Sequence, residues 1–322
     1  LKIIALEEHF LTSDIRAAWA ASPLDNGGTE RFETQLEDLG DERIRLMDES
    51  GVDVQVLSVT TPGLHNLDAH TSVDLARRTN DLIAATIASR PTRFQGFAAL
   101  PTPSPKEAAR ELERSVRSLG LRGAMLCGRT REKNLDHPDF LPMLETAADL
   151  RVPLYIHPQL PQRAVRDALY SGFGEQVDDA FASFGLGWHY EAGIQFVRLI
   201  LAGVFDRLPG LQIILGHWGE VVLFFMDRLN GISRVATLQR PVTDYFRQNL
   251  YVTPSGMFNA PYLQRAVEVL GTDRIMFSQD YPYQYRPGEE ARHFVQSAPL
   301  SEADREKFAH GNWERLASPK QT

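Results

Sequence analysis

Ile3-Ile4-Ala5-Leu6-Glu7-Glu8-His9 opens the chain with four apolar residues and closes on two carboxylates and an imidazole. The apolar run has the length and composition of a buried strand. Side chains at i and i+2 of a strand share a face, so Glu7 and His9 project together while Glu8 projects away. A carboxylate beside an imidazole at a strand end is the beginning of a site for a divalent metal. A surface turn after an edge strand reads the same way in isolation. Ligands at the ends of later strands decide between the two.

Working outward, further apolar runs predict strands at Val52–Val59, Phe94–Leu100, Gly123–Cys127, Val152–Ile156, Leu211–Leu215, Leu250–Thr253 and Arg274–Ser278. Apolar residues at helical spacing fall between them, and the stretches predicted helical include Asp41–Ser50, Thr71–Ser89, Ser104–Leu119 with Ser104 as its cap, Pro138–Leu150, Glu191–Leu208, Val221–Leu229 and Ala260–Leu270. Pro23–Asp38 reads as an irregular insertion, and two helices, Glu289–Ala298 and Ser301–His310, finish the chain. Eight strands alternating with helices call for parallel βαβ units closed into a (β/α)8 TIM barrel, an α/β fold, with residues 1–322 as one domain carrying insertions. A doubly wound open sheet would show a glycine loop after its first strand, and Glu7–Ser13 holds no glycine.

The bulk numbers narrow the function. With 322 residues, 43 % hydrophobic and 24 % charged, the chain can bury a large core. A net charge of −8 without a basic block argues against nucleic acid or an anionic membrane surface as partner. Cys127 has no second cysteine to pair with, which fits a reducing cytoplasm. Glu7 and Glu8 break the first apolar run too early for a signal peptide, and no stretch is long enough for a membrane helix.

Polar residues then collect at strand ends: Glu7 and His9 on the first, His157 on the fifth, His217 on the sixth, Asp280 on the eighth. In a barrel these ends form one rim, where active sites lie. Glu220, three residues after His217 in Gly216-His217-Trp218-Gly219-Glu220, is either a capping carboxylate or a partner that orients the imidazole. Asp280 either caps the next turn or serves as a metal-linked acid–base group; the rim position favours the second. His65, His70, His137, His189, His293 and His310 sit in loops, before a helix or in late helices, and read as solvated or locally bonded.

Taken in order, Ala5–Phe10, Tyr155–Pro158, Gly203–Pro209, Leu211–Glu220 and Arg274–Pro282 resemble the amidohydrolase superfamily. Within it they resemble the branch of non-oxidative aromatic decarboxylases typified by γ-resorcylate decarboxylase. The resemblance implies that Glu7, His9, His157 and Asp280 bind one divalent metal ion, zinc or manganese, with no organic cofactor. It places His217 and Glu220 beside the substrate, and makes Arg228 a candidate partner for a carboxylate. Phe10, Trp218, Phe258, Tyr281 and Tyr283 are candidate walls of an aromatic pocket. The implied reaction is loss of carbon dioxide from a hydroxybenzoate-like aromatic carboxylic acid, with Asp280 protonating the ring carbon. A hydrolase or hydratase using metal-activated water is the alternative, and a binding scaffold the third reading. The family is commonly dimeric or tetrameric, which implies a homo-oligomer. Gln159-Leu160-Pro161 and Tyr281-Pro282-Tyr283-Gln284 depart from near relatives, so the ring substituents accepted stay open.

Overall fold

The computed structural model describes residues 1–22 and 30–318. Its strands run parallel. The first, Ile4–Phe10, pairs with the second, Val54–Val59, which pairs with Phe94–Gly96. The third strand is interrupted at Phe97 and resumes as Ala98–Ala99 against the fourth, Ala124–Cys127. The Phe97 amide donates to Leu57 and the Ala98 amide to Gly123, so one strand hands the ladder from one sheet to the other. The fifth, sixth and seventh strands, Leu154–His157, Ile213–Leu215 and Leu250–Val252, continue in order. Residues 275–278 close the ring through parallel bridges from Ile275 to Val252 and from Ser278 to Leu6. The fold is a (β/α)8 barrel.

Alternation along each strand divides the apolar residues into two cores. Ile4, Leu6, Val54, Val56, Phe97, Met125, Tyr155, Ile214, Tyr251 and Met276 fill the barrel interior. Ala5, Leu57, Leu126, Ile156, Leu215, Val252 and Phe277 face the surrounding helices. The last helix, Asn312–Ala317, places buried Trp313 on the interior core. Its ring meets Phe97 edge-on at 5.3 Å, and its Nε1–H donates to Gln95 Oε1 at 2.8 Å. A fully buried indole of this kind contributes about 3 kcal/mol or more.

Several elements differ from the sequence reading, each for a local reason. Within Pro23–Asp38, residues 23–29 lie outside the described residues. Glu33–Glu37 is a short helix that buries Leu36. Ser104 stands at the cap of Pro105–Arg117, but its hydroxyl makes no capping bond; Pro105 pre-sets the first turn instead. The stretch read as one helix over Val221–Leu229 is a 3-10 turn, Val222–Phe225, followed by the helix Met226–Asn230. The cause lies upstream, in the turn that carries His217. Among the described residues, no helix is long and apolar enough to cross a membrane.

Candidate active site

The first strand changes face at its end. Leu6 points into the barrel, and strict alternation would send Glu7 and His9 out among the helices. A bulge between Ala5 and Glu8 shifts the pairing register, with Glu7 in the left-handed region at φ 65°. Glu7 and His9 are thereby turned inward. Phe10 follows the opposite phase and packs in the outer core, so it does not wall the site as the sequence reading expected.

Glu7, His9, His157 and Asp280 meet at the C-terminal rim, all buried, with one ligand atom from each lying within 4.8 Å of the others. His157 Nε2 is 3.4 Å from Glu7 Oε1, and His9 Nε2 is 3.4 Å from Asp280 Oδ1. His157 Nδ1 donates to its neighbouring Pro158 carbonyl at 2.7 Å, which leaves the Nε2 lone pair facing the cluster. Glu7 Oε1 and His9 Nε2 are buried atoms without a hydrogen-bond partner. Burial, then Glu7, pushes the Asp280 carboxyl well up, and burial raises Glu7 despite His217 and the hydroxyls on it. Burial and the Arg43 charge take His9 down to about 3, while burial and His9 lower His157. Two neutral imidazoles and two carboxyls that resist ionising beside one another are the electrostatics of a cluster completed by a dication. Two oxygen and two nitrogen donors suit manganese or zinc.

Donors behind the cluster fix its carboxylates. Tyr155 O–H donates to Glu7 Oε2 at 2.5 Å, Ser255 Oγ donates to the same oxygen, and Thr253 Oγ1 lies 2.7 Å from the Tyr155 hydroxyl. With Oε2 occupied, Oε1 is the oxygen left to ligate. Tyr155→Phe is expected to weaken manganese binding about tenfold, measured by competition against a chelating dye. An unchanged affinity would refute the assignment. Tyr155 stands two residues before His157 on one strand and so shares its face, a signal the sequence held. On the other side of the first strand, Glu8 accepts from the Gln279 amide at 2.8 Å and from Gln55 Nε2 at 3.1 Å. Arg43 donates to the His9 carbonyl at 2.8 Å and sets its guanidinium over the Tyr281 ring, which ties the first strand to the residue after Asp280.

His217 arrives on an uncommon turn. His217, Trp218, Gly219, Glu220 and Val221 all have positive φ, between 45° and 87°. Each non-glycine residue there costs about 1 kcal/mol or more. The turn is held by the His217 amide donating to Ser255 Oγ and the Trp218 amide donating to the Thr253 carbonyl, both at 2.8 Å. It brings His217 Nδ1 to 2.7 Å from Glu220 Oε1. Burial works to raise Glu220, but His217 and then His189 overcome it and hold the carboxyl down at about 2. Burial opposes protonation of His217, and Glu220 foremost raises it regardless. Of the two sequence readings, the hydrogen-bonded pair is the one the geometry displays.

The same turn sends Trp218 outward. Its indole donates to the Met257 carbonyl at 2.8 Å and packs near Phe294 and Phe308 in the outer core. Phe258 stacks on Phe294 at 4.9 Å in that layer, and Tyr281 lies under the Arg43 guanidinium at 4.4 Å. Arg228 is exposed on Met226–Asn230, and among the described residues it makes no bond to the cluster. Of the aromatic candidates, Tyr283 alone reaches the site, its ring 5.7 Å from His9 and its hydroxyl 2.7 Å from Thr60 Oγ1. Phe32 backs it at 5.1 Å, and Trp188 stands 6.4 Å from His157. Gln159 turns away, donating to the Cys127 and Arg129 carbonyls. His189, read from the sequence as solvated or locally bonded, reaches Glu220 from the start of the helix Gly187–Leu201; no spacing rule links the two.

Comparisons with known proteins agree with this fold. The amidohydrolase family pattern matches residues 28–316. The chain is 37 % identical to a γ-resorcylate decarboxylase of Polaromonas sp. strain JS666, covering 97 % of both chains. It superposes on the crystal structure of 5-carboxyvanillate decarboxylase from Sphingomonas paucimobilis with a TM-score of 0.90 at 34 % identity, covering 99 % of this chain and 100 % of that one. A dihydroxybenzoic acid decarboxylase from Polaromonas sp. JS666, solved with manganese and the inhibitor 2-nitroresorcinol, gives 0.88 at 34 % identity over 100 % of this chain and 98 % of that one. A chain matched over this length by the family pattern, and at this identity by full-length relatives, belongs to the amidohydrolase family.

Proposed function

We propose that the protein is a metal-dependent, non-oxidative decarboxylase of a hydroxybenzoate-like acid, working as one barrel unit. The observation that carries the reading is the inward cluster of Glu7, His9, His157 and Asp280, with two ligand atoms lacking a hydrogen-bond partner, set beside the His217–Glu220 pair. Its chemistry matches what the decarboxylase relatives are named for. Manganese is the metal we favour over zinc, on the two carboxylates, the absence of a thiolate from the cluster and the manganese of the related structure. When bound, the cation supplies Lewis acidity toward the oxygens of an aromatic acid.

The residues do the rest. Tyr283 and Trp188 flank the cluster and hold the ring between them. Asp280, ionised as a ligand and then protonated from His217, passes that proton to the ring carbon that bears the carboxylate. The carbon–carbon bond then breaks, its electron pair returns to the ring, and carbon dioxide leaves. Glu220 keeps the His217 Nδ1 proton engaged, so Nε2 is the nitrogen that serves the substrate or Asp280. The reading includes a homo-oligomer, dimer or tetramer, because Leu169, Phe173, Phe184, Phe224 and Val235 are each more than half exposed.

The test is carbon dioxide release from 2,6-dihydroxybenzoate, salicylate and 2,3-dihydroxybenzoate by metal-quantified protein. Turnover on any of them supports the reading. Silence across the panel with one metal per chain would move the assignment to hydration or hydrolysis on the same barrel.

A further inference from the structure

We infer that His189 is a positioning residue for the His217–Glu220 pair, so that the helix Gly187–Leu201, between the fifth and sixth strands, sets the competence of the site beneath it. The inference rests on the acid–base role proposed above for His217. Its basis is the way the buried Glu220 carboxylate is shared. Oε1 accepts from His217 Nδ1 and Oε2 accepts from His189 Nδ1, each at 2.7 Å. The two rings lie 4.5 Å apart and are inclined at 65°.

His189 has the chemistry to keep that bond in either protonation state. Its Nε2 is 3.2 Å from the Trp188 indole Nε1–H and 3.1 Å from the Phe184 carbonyl. A neutral ring accepts from the indole and carries its proton on Nδ1, whereas a protonated ring donates to the carbonyl and still carries a proton on Nδ1. Glu220 keeps its second donor in both cases. Each imidazole spends its Nδ1 on the carboxylate, so the three groups form a hydrogen-bonded relay and not a second cation site.

Both carboxylate oxygens are thus tied to different parts of the chain. His217 and Glu220 belong to the left-handed turn after the sixth strand; His189 belongs to the first turn of the helix Gly187–Leu201. One bond alone would let the carboxylate rotate about its last side-chain torsion. The second fixes its plane, and with it the direction of the His217 ring. Loss of the His189 donor leaves a buried anionic oxygen unpaired, and the carboxylate must turn or share its remaining donor.

The experiment compares wild type with His189→Ala and His189→Asn as manganese-loaded enzymes on 2,6-dihydroxybenzoate, and follows the His217 Nδ1–H resonance in metal-free, 15N-histidine-labelled protein. His189→Ala is expected to lower kcat about 10- to 100-fold while KM stays within about twofold, and to displace or erase the resonance. In His189→Asn the amide nitrogen takes the place of Nδ1, which should restore kcat to within about threefold of wild type. If His189→Ala does not fold, His189→Phe keeps the ring volume without the donor. Unchanged kcat and an unmoved resonance would overturn the inference, as would a large rise in KM at constant kcat, which marks direct substrate contact. A wild type inert on the acid counts against the decarboxylase reading alone, because the resonance decides the role of His189 without turnover.

Discussion

Asp280→Asn is expected to lower turnover about 100- to 10,000-fold, the range for removing a positioned proton donor. Asp280 stands at the end of the residues that close the barrel, in the left-handed region at φ 60°, with Oδ1 3.4 Å from His9 Nε2. Asparagine keeps the size and a carbonyl oxygen that can still ligate, but has no acidic proton to give. Carbon dioxide release should therefore be measured on the sample used for metal analysis. Loss of turnover at unchanged metal content is the expected result. A variant that holds metal and retains a tenth of wild-type turnover would remove Asp280 from the proton path.

Stripping the metal is expected to abolish turnover, with manganese restoring it, and to destabilise the fold in a pH-dependent way. The sign follows from the carboxyls. In the metal-free fold Glu7 and Asp280 are both raised above their ordinary values. The folded chain then binds more protons than the unfolded one, so this contribution is present below the ordinary carboxylate range and is lost as pH rises through the raised values. Metal binding requires ionised carboxylates, so its contribution grows with pH. Metal at 100 to 1,000 times its Kd adds about 3–4 kcal/mol. Thermal midpoints of the two forms should diverge as pH rises from about 5 to 8; parallel curves would show that these carboxyls do not hold the metal.

Much of this was legible in the chain itself. Eight apolar runs, four of them ending in Glu7/His9, His157, His217 and Asp280, specify both the barrel and the rim residues, because strand burial and the i, i+2 rule depend on local sequence alone. Phe10 was misplaced although that rule covers it, since a residue next to His9 on a strand faces the other way. Trp218 and the helix expected over Val221–Leu229 failed for a different reason. The left-handed run from His217 to Val221 opposes the intrinsic preference of its non-glycine residues and is imposed by Thr253 and Ser255 from another strand. The bulge at Glu7 and the bond from His189 to Glu220 are likewise tertiary facts.

Trp313 has a consequence for traffic. By packing against Phe97 and bonding Gln95 it helps fill the end of the barrel opposite the strand-end rim. Under the proposed reaction, arriving acid and departing products pass the mouth at the strand-end rim, beside the helix Gly187–Leu201 that bears Trp188 and His189. An alteration that narrows that mouth therefore slows loading and unloading together.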